Sequence, residues 1–455
     1  MYNFIMNILQ EFDTITAIAT PIGTGGVGVI RISGNDSFKI IEKIFSKQGL
    51  IAGKIYHGWI SDNGKKIDEV IVLPFKAPNS YTGEDVIEIH CHGGINVVRN
   101  VLNLTLSNGA RLAERGEFTK RAFLNRKMDL SQAEAVADLI HAKTKNFAIQ
   151  SAKNLSGVLG EKVSEIKKEI FETLSRIVAG IDFPEDVAEP DYSYLVNHFE
   201  HSISEIDKIL SCVKTSDILR QGVKIAIVGK PNVGKSSLFN TLLNIERAIV
   251  TDIAGTTRDV LKENLDWDVA ITLIDTAGIR EGEDVGKVEE IGIEYSKQSA
   301  KEADLVLFMF DSSRKFEEED SVIWNFVKDK PHLIIANKSD LQTYNNELPF
   351  DNKDIIHIST LKNNGIEELK NRIQDIVCNF STEETEFITN QRQEECLKKS
   401  RESLIRALNA AKMEELQDMI SIDLKSALLA LDEITGEVIT DDILDNIFSH
   451  FCIGK

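Results

Sequence analysis

Residues 229–237 read GKPNVGKSS and fit the phosphate-binding pattern G-x-x-x-x-G-K-[ST]. Such a loop presents backbone N–H groups to phosphate oxygens, and its lysine, Lys235, can reach the β- and γ-phosphates. The hydroxyl of Ser236 can ligate Mg²⁺. An apolar strand is predicted over 223–228 and a helix over 237–243, whose N-terminal dipole adds to anion binding. The loop therefore predicts a nucleoside triphosphate site.

Two polar segments further along the chain can complete the metal and phosphate contacts. Thr256 and Thr257 lie in the segment AGTTRD, where Thr257 can complete the Mg²⁺ shell. Asp275 ends a predicted strand, 269–274, and can hold the metal through water. The N–H of Gly278, in the same DTAG motif, can face the γ-phosphate.

Residues 337–340, NKSD, follow another predicted strand, 332–336, and indicate the base. The Asp340 carboxylate can accept two hydrogen bonds from guanine N1–H and N2–H, a donor pair that adenine lacks. Residues 359–360, Ser-Thr, follow a further predicted strand and are a weaker match to a guanine-contacting loop. Because these motifs occur in order and most of them at strand ends, the sequence predicts a GTP-binding domain.

The group that positions the attacking water is not apparent from these motifs alone. Ile279 occupies the position where many small GTPases place a glutamine for this task. An acidic run follows, whose ordinary interpretation is a solvated loop and helix start, although one carboxylate of the run could orient water; its members are Glu281, Glu283, Asp284, Glu289 and Glu290. A monovalent cation could replace an arginine finger, with Asn232 and carbonyls of residues 251–256 as oxygen ligands.

The composition favours a cytoplasmic protein of several domains. The chain has 455 residues and a formal net charge of −20, which disfavours broad nonspecific binding to nucleic acid. Its five cysteines are scattered without C-x-x-C pairing, which predicts reduced thiols. No apolar run is long enough to cross a bilayer, so no membrane association is expected.

The pattern of elements predicts a multidomain α+β and α/β fold. Short β-rich runs alternate with helices over 1–120, helical periodicity dominates 121–215, the P-loop α/β GTPase domain occupies 216–376, and 377–455 is helical again. Because helical segments flank the GTPase on both sides, we expect it to be inserted into a discontinuous all-α domain.

Longer motifs extend over nearly the whole chain. They are GGVGVIRISG, NSYTGEDVIEIHCHGG, RGEFTKRAFLNRKMDLSQAEAVADLI, IDFPED, GKPNVGKSSLFN, TDIAGTTRD, DTAGIR, EEIGIE, NKSD and CIGK. Through them the chain resembles the MnmE (TrmE) family of tRNA modification GTPases. The resemblance implies a FAD-dependent partner of the MnmG type, with which the protein forms a heterotetramer. Together they would add an aminomethyl or carboxymethylaminomethyl group at C5 of the wobble uridine of certain tRNAs.

The resemblance also implies that the N-terminal domain forms a homodimer and binds 5-formyl-tetrahydrofolate or a related folate. The implied folate contacts are Arg31, Glu88, Lys127 and Lys455. A carboxylate can pair with pterin N–H donors, and cations can pair with the glutamate tail of the folate. Cys452 matches the terminal cysteine of the family, and its chemical role stays open.

In the GTPase domain the resemblance implies Lys235 and Glu289 as catalytic residues and Ser236 and Thr257 as Mg²⁺ ligands. The implied potassium ligands are Asn232, Thr251, Ile253 and Thr256. The residues implied to contact GTP are Asn232, Val233, Gly234, Lys235, Ser236, Ser237, Thr251, Asp252, Ile253, Ala254, Gly255, Thr256, Thr257, Asp275, Thr276, Ala277, Gly278, Asn337, Lys338, Asp340, Ser359 and Thr360.

Two alternatives stay open at this level. The protein could instead be a regulatory or ribosome-assembly GTPase with an unrelated N-terminal module, which predicts binding to rRNA and no folate binding. The segment 111–127 carries six basic and two acidic residues and is either a solvated helical face or a secondary basic patch for tRNA. Because the chain as a whole is acidic, we expect the partner to supply much of the tRNA contact.

Overall fold

The computed structural model describes residues 13–142, 144–213, 216, 220, 222–244, 262–267, 269–275, 299–301, 303–344, 348–381 and 389–455. The chain divides into two compact units. The first comprises Met1–Ile140, Ala152–Asp207 and Glu395–Lys455, and the second His141–Ser151 and Lys208–Glu394. Within the described ranges, no helix combines the length and the apolar character needed to cross a membrane.

The first unit begins with a six-stranded sheet covered on one face by two helices. Its strands are β1 (Ile15–Ile18), β2 (Val27–Ser33), β3 (Tyr56–Asp62), β4 (Lys65–Phe75), β5 (Val86–His92) and β6 (Arg111–Leu112). The order is β3-β4-β5-β2-β1-β6, and neighbours are antiparallel except the parallel pair β1 and β6. The covering helices are α1 (Ser37–Ile44) and α2 (Ile95–Ser107).

Alternation along β5 sends its side chains to two different environments. Ile87, Ile89 and Cys91 are buried in the core beneath the helices. Glu88 and His90 point to the opposite face of the sheet because successive residues of a strand alternate. Burial raises the pKa of the Cys91 thiol to about 11, so the thiol stays protonated. One face of this strand therefore builds the core and leaves the other face for polar groups.

Five helices follow the sheet: α3 (Glu117–Leu124), α4 (Leu130–His141), α5 (Lys145–Leu155), α6 (Val158–Asp182) and α7 (Tyr192–Ser211). The helical structure is interrupted between α3 and α4, where Arg126 adopts a left-handed backbone with φ of 56°. Asp129 restarts the helix because its carboxylate accepts hydrogen bonds from the Gln132 N–H at 2.8 Å and the Ser131 hydroxyl at 2.6 Å. Lys127 lies in this break and not on a helix face.

The second unit contains the predicted nucleotide motifs on a six-stranded sheet. Its strands are β7 (Val223–Val228), β8 (Lys262–Trp267), β9 (Val269–Asp275), β10 (Leu305–Asp311), β11 (His332–Asn337) and β12 (Ile355–His357), with helices α8 (Lys235–Asn244), α9 (Glu318–Val327) and α10 (Ile366–Ser381). The order is β12-β11-β10-β7-β9-β8, and only β8 runs antiparallel to its neighbour. The central strand β10 is buried from Leu305 to Phe310, as an apolar parallel strand covered on both faces should be.

The chain then returns to the first unit through α11 (Gln391–Lys412), α12 (Gln417–Thr435) and α13 (Asp441–Ser449). Helix α12 packs along α6. Ion pairs join α11 to α7, between Arg401 and Asp207 at 2.5 Å and between Lys412 and Glu200 at 2.8 Å. Helices from both sides of the nucleotide-binding unit therefore pack together in the first unit.

The basic segment 111–127 contains one buried arginine, and several of its other cations are paired. Arg121 is only 1% exposed and pairs with Glu84, Asp13 and Glu117. The other pairings in the segment are of Arg111 with Asp13 and Glu117, of Lys120 with Asp445, and of Lys127 with the Pro78 carbonyl. Arg121 is therefore buried inside the unit, whereas most of the other basic residues of the segment stay exposed: Arg111, Arg115, Arg126 and Lys127.

Replacing Arg121 by alanine leaves the Glu84 and Glu117 carboxylates without their buried cation. We expect the free energy of opening of the first unit to fall by about 3–5 kcal/mol, the usual cost of removing one partner from a buried ion pair. Hydrogen exchange of β2 and β5 measures this, with the strands of the second unit as an internal reference. Arg115→Ala removes an exposed arginine from the same segment and should have little effect; equal losses in both variants would contradict the prediction.

The stabilisation of the first unit by Arg121 should depend on pH, because Arg121 pairs with the Glu117 carboxylate. Burial alone would raise the pKa of Glu117, but hydrogen bonds from Arg111, the Glu114 N–H and Arg121 hold it below its usual 4.5. Such a carboxylate stabilises the fold above its unfolded pKa, and this contribution is lost as pH falls through the lower folded pKa. The difference in the free energy of opening between the wild-type protein and Arg121→Ala should therefore be largest near pH 7 and should shrink below about pH 4.

Candidate functional site

The loop between β7 and α8 has the backbone shape that the phosphate-binding pattern requires. Asn232 and Gly234 are left-handed, with φ of 64° and 104°. A Cβ on Gly234 would lie 2.3 Å from Asn337 Nδ2, and a Cβ on Gly229 would lie 2.1 Å from the Met309 carbonyl oxygen. These glycines therefore let the loop pass close to the neighbouring strand ends.

Lys235 is held inside this loop. It is 9% exposed, and its Nζ donates to the carbonyls of Gly229 and Lys230, both at 2.8 Å. Ser236 is exposed in the first turn of α8, and Asn232 is exposed in the loop. The loop thus presents an ammonium, a hydroxyl and an amide from one short stretch of backbone, which suits a phosphate with its counter-ions.

A side-chain amide joins the phosphate loop to the two loops predicted to hold the base. Asn337 ends β11, is buried, and donates from Nδ2 to the Val233 carbonyl at 2.8 Å. The Thr360 N–H donates to Asn337 Oδ1 at 3.3 Å. Because β11 and β12 are parallel neighbours, their following loops meet at one edge of the sheet.

Asp340 is oriented by the loop that follows β12. The Ser359 hydroxyl donates to Asp340 Oδ1 at 2.6 Å, and this hydrogen bond lowers the pKa of Asp340. The structure thus brings Asp340, Ser359 and Thr360 together with Asn337, as the guanine prediction requires. An ionised carboxylate with a second oxygen available can accept the paired N–H donors of guanine.

Several predicted site residues lie outside the described part of the chain. They are Thr251, Asp252, Ile253, Ala254, Gly255, Thr256, Thr257, Thr276, Ala277, Gly278 and Glu289. Asp275, whose backbone is described, is the last residue of β9, paired with β7.

A second candidate site is a cavity of about 320 Å³ in the first unit. It is lined by Phe75, Asn79, Ser80, Tyr81, Val86, Glu88 and Lys127. Glu88 comes from β5, and Lys127 comes from the break between α3 and α4. The cavity therefore combines apolar walls with one carboxylate and one ammonium, and its volume falls within the range of ~300–1,000 Å³ usual for small-molecule sites.

Arg31 lies behind this cavity and pairs with Glu88. The two residues face each other across β2 and β5, and Arg31 Nε donates to Glu88 Oε1 at 2.9 Å. The guanidinium carbon of Arg31 lies 5.1 Å from the centroid of the Tyr81 ring and 5.6 Å from that of the Phe118 ring, within cation–π distance of both. Its Nη1 is buried without a hydrogen-bond partner among the described residues, which marks a donor that a ligand can satisfy.

The CIGK segment reaches this site along α3. Phe451 is buried in a cluster with Phe448 and anchors the segment. The Phe118 N–H then donates to the Lys455 carbonyl at 3.2 Å. Burial, and next the nearby charge of Arg31, lowers the pKa of Lys455, while the charge of Glu88 acts in the opposite direction. Cys452 is exposed in the same segment.

The structure therefore brings the four residues predicted to bind folate into one region. Sequence reasoning missed the aromatic residues Tyr81 and Phe118, whose rings both lie within cation–π distance of Arg31. The register of β2 against β5 decides that Arg31 opposes Glu88, and it could have been inferred from the alternation of the two strands. The aromatic residues come from a loop and a helix, for which alternation gives no signal.

Comparison with known proteins gives matches on both sides of the nucleotide-binding unit. The family model described as GTP-binding protein TrmE N-terminus matches residues 14–127. The model described as MnmE helical domain matches residues 130–452.

Curated relatives match over nearly the whole length. The tRNA modification GTPase MnmE of Thermotoga petrophila is 44% identical over 454 residues, covering 97% of this chain and 100% of its own. The protein of the same name from Clostridioides difficile is 45% identical over 461 residues, covering 97% of this chain and 99% of its own.

Among solved structures, Era of Aquifex aeolicus bound to GDP and AlF4⁻ is 29% identical and covers 40% of this chain and 67% of its own. Its TM-score of 0.26 supports no structural conclusion.

Replacing Asp340 by asparagine should change the base that is bound. The amide loses the pairing with guanine N1–H and N2–H, so we expect GTP affinity to fall by roughly 100-fold, since hydrogen bonds to charged groups contribute ~1.5–3 kcal/mol each. Xanthosine triphosphate carries a carbonyl in place of the N2 amine and should bind the variant more tightly than GTP. Competition binding measures both affinities, with Asp375→Asn on α10 as the control. An unchanged preference for GTP would contradict the assignment.

Proposed function

This chain belongs to the MnmE family of tRNA modification GTPases, and from this premise we propose that it is a potassium-dependent GTP hydrolase acting on wobble uridine. With a FAD-dependent partner of the MnmG type, it adds an aminomethyl or carboxymethylaminomethyl group at C5 of that base in certain tRNAs. The observation that carries the proposal is the buried Arg31 Nη1 with no described partner behind a cavity lined by Glu88 and Lys127. A simple GTPase switch has no need of such a site.

Family membership also decides between the two functional hypotheses. A ribosome-assembly GTPase with an unrelated N-terminal module would not match the family over residues 14–127. That alternative is therefore wrong as far as the N-terminal module is concerned. GTP hydrolysis in tRNA modification follows from the family, while the ions, the folate and the chemical group that is added remain parts of the proposal.

In the proposed GTPase reaction, Lys235 contacts the phosphates and Ser236 and Thr257 hold Mg²⁺. Asn232 supports the potassium part of the proposal, because its left-handed backbone and exposure leave its amide oxygen available to a hard cation. Its co-ligands are Thr251, Ile253 and Thr256. When bound, the potassium ion supplies the positive charge that an arginine finger gives other GTPases. Glu289 orients the attacking water in place of the missing glutamine.

The residues that line the cavity of the first unit suit a folate in their chemistry. Glu88 can accept hydrogen bonds from pterin N–H donors, and the cations Arg31, Lys127 and Lys455 can pair with the glutamate tail. The aromatic and aliphatic side chains Phe75, Tyr81 and Val86 offer apolar walls to a planar ring. A bound 5-formyl-tetrahydrofolate or related folate would supply a one-carbon unit. The residues of this chain bind and orient it.

The partners follow from the same premise. We propose that two copies associate through their N-terminal domains and join two copies of the FAD-dependent partner in a heterotetramer in the cytoplasm. Because the chain carries a formal net charge of −20, most of the positive surface for tRNA is assigned to the partner. The isolated chain should accordingly bind tRNA weakly at physiological salt.

Hydrolysis should distinguish potassium from sodium. We expect GTP turnover in potassium chloride to exceed that in sodium chloride by at least about tenfold, because an arginine finger or its replacement contributes ~10³–10⁵ in rate. Asn232→Ala should abolish this difference by removing one oxygen ligand. Glu289→Ala should instead lower turnover in both salts and leave GTP binding intact. Equal turnover in both salts for the wild-type protein would contradict the potassium assignment.

Folate binding should depend on the charge of Glu88. We expect Glu88→Gln to weaken 5-formyl-tetrahydrofolate binding by roughly 10- to 100-fold, since a hydrogen bond to a charged group contributes ~1.5–3 kcal/mol. The loss also leaves the buried Arg31 guanidinium without its partner. Titration calorimetry measures the affinity, and Glu69→Gln, on an exposed position of the same sheet, is the matched control. Wild-type protein that binds no folate would remove this part of the proposal.

A further inference from the structure

A buried carboxylate that no motif includes lies beside the guanine loop. Asp311 ends β10 and stands next to Asn337, the last residue of β11, in the register of the two parallel strands. Its side chain is 8% exposed. It accepts hydrogen bonds from Lys338 Nζ at 2.6 Å, the Ser313 N–H at 3.0 Å and the Ser313 hydroxyl at 2.7 Å. The carboxylate therefore has three donors, one of which belongs to the NKSD motif.

The ion pair with Asp311 fixes the direction in which the Lys338 side chain extends. Lys338 has a left-handed backbone, with φ of 63°, and is followed two residues later by Asp340. With its ammonium held at the end of β10, the aliphatic part of Lys338 spans the gap between the two strand ends. The segment after Asp311 strengthens this geometry, because the Ser312 N–H and hydroxyl both donate to the Asn337 carbonyl, at 3.0 Å and 2.8 Å.

We propose that Asp311 is a positioning residue for the guanine base, acting through Lys338. The aliphatic stem of Lys338, fixed at both ends, forms an apolar wall for a face of the purine, while Asp340 accepts hydrogen bonds from its edge. The ligand is any guanine nucleotide, so GTP and GDP are affected alike. Asp311 contributes to binding and has no part in the hydrolytic step. The inference deepens the GTP-binding function and rests on it.

The charge state of Asp311 supports this role. Burial alone would raise the pKa of Asp311, but the hydrogen bonds from Lys338 and Ser313 bring it below its usual value. The carboxylate is therefore ionised at neutral pH, as pairing with an ammonium requires. A second cation, Arg314, lies 3.7 Å from the same oxygen, but it is 74% exposed and offers a matched comparison.

A double-mutant cycle distinguishes a positioning role of Asp311 from a merely structural one. The variants are Asp311→Asn, Lys338→Met, the double variant and Arg314→Gln, all in the full-length protein. Methionine keeps an unbranched stem of similar length without the ammonium. We expect Asp311→Asn and Lys338→Met each to raise the Kd of GTP and GDP about tenfold, because each removes a charge-assisted hydrogen bond. The double variant should be no weaker than Lys338→Met alone, and Arg314→Gln should match wild type.

Turnover supplies the second measurement. At saturating GTP, kcat of Asp311→Asn should equal that of wild type while KM rises, since only ground-state binding is lost. Lys338→Arg keeps the cation and should restore most of the affinity lost in Lys338→Met.

Four outcomes would overturn the proposal: unchanged affinity in Asp311→Asn, multiplied losses in the double variant, a fall in kcat, or no rescue by Lys338→Arg. If Asp311→Asn does not fold, wild-type affinity in Lys338→Met overturns it equally. Failure of the wild-type protein to bind GTP would instead overturn the GTPase assignment.

Discussion

The nucleotide site depends on the buried amide of Asn337, which joins loops far apart in the sequence. It donates to the phosphate loop at Val233 and accepts from the base loop at Thr360. This contact is possible because the parallel strands of the second unit end at one edge and because Gly234 leaves room for the amide. The same edge brings Asp311 beside Lys338. The phosphate loop and the loop after β12 are therefore connected through one side chain of the NKSD motif, and Asp311, outside that motif, pairs with the next residue.

The first unit is organised around buried charge. Arg121 holds carboxylates from three segments, and Arg31 holds Glu88 while keeping one nitrogen without a described partner behind a cavity. Burying an ion pair contributes little net stability, whereas removing one partner costs several kcal/mol, so such groups specify geometry more than they stabilise it. In this unit Arg31 contacts Tyr81 from a loop and Phe118 from α3, and the Phe118 N–H donates to the main chain of Lys455.

Much of this architecture could be predicted from the sequence, and the exceptions have physical causes. The strands that precede the nucleotide loops are predictable because apolar runs are local signals, and β7, β9 and β11 confirm them. The burial of Arg121 within segment 111–127 could not be predicted, because charge counts do not reveal partners such as Asp13 and Glu84, which are distant in sequence. Tyr81, Phe118 and Asp311 were missed for the same reason. Their roles arise from strand register and tertiary contacts.

We propose that one chain combines a GTPase with a folate site for modifying the wobble uridine. Nucleoside mass spectrometry of tRNA tests it most directly, in cells lacking this chain and in cells supplied with wild-type or Glu88→Gln protein. Loss of the C5-modified wobble uridine, its return with the wild-type protein, and its reduction with Glu88→Gln are the predicted results. Intact C5-modified wobble uridine in cells without the chain would contradict the claim.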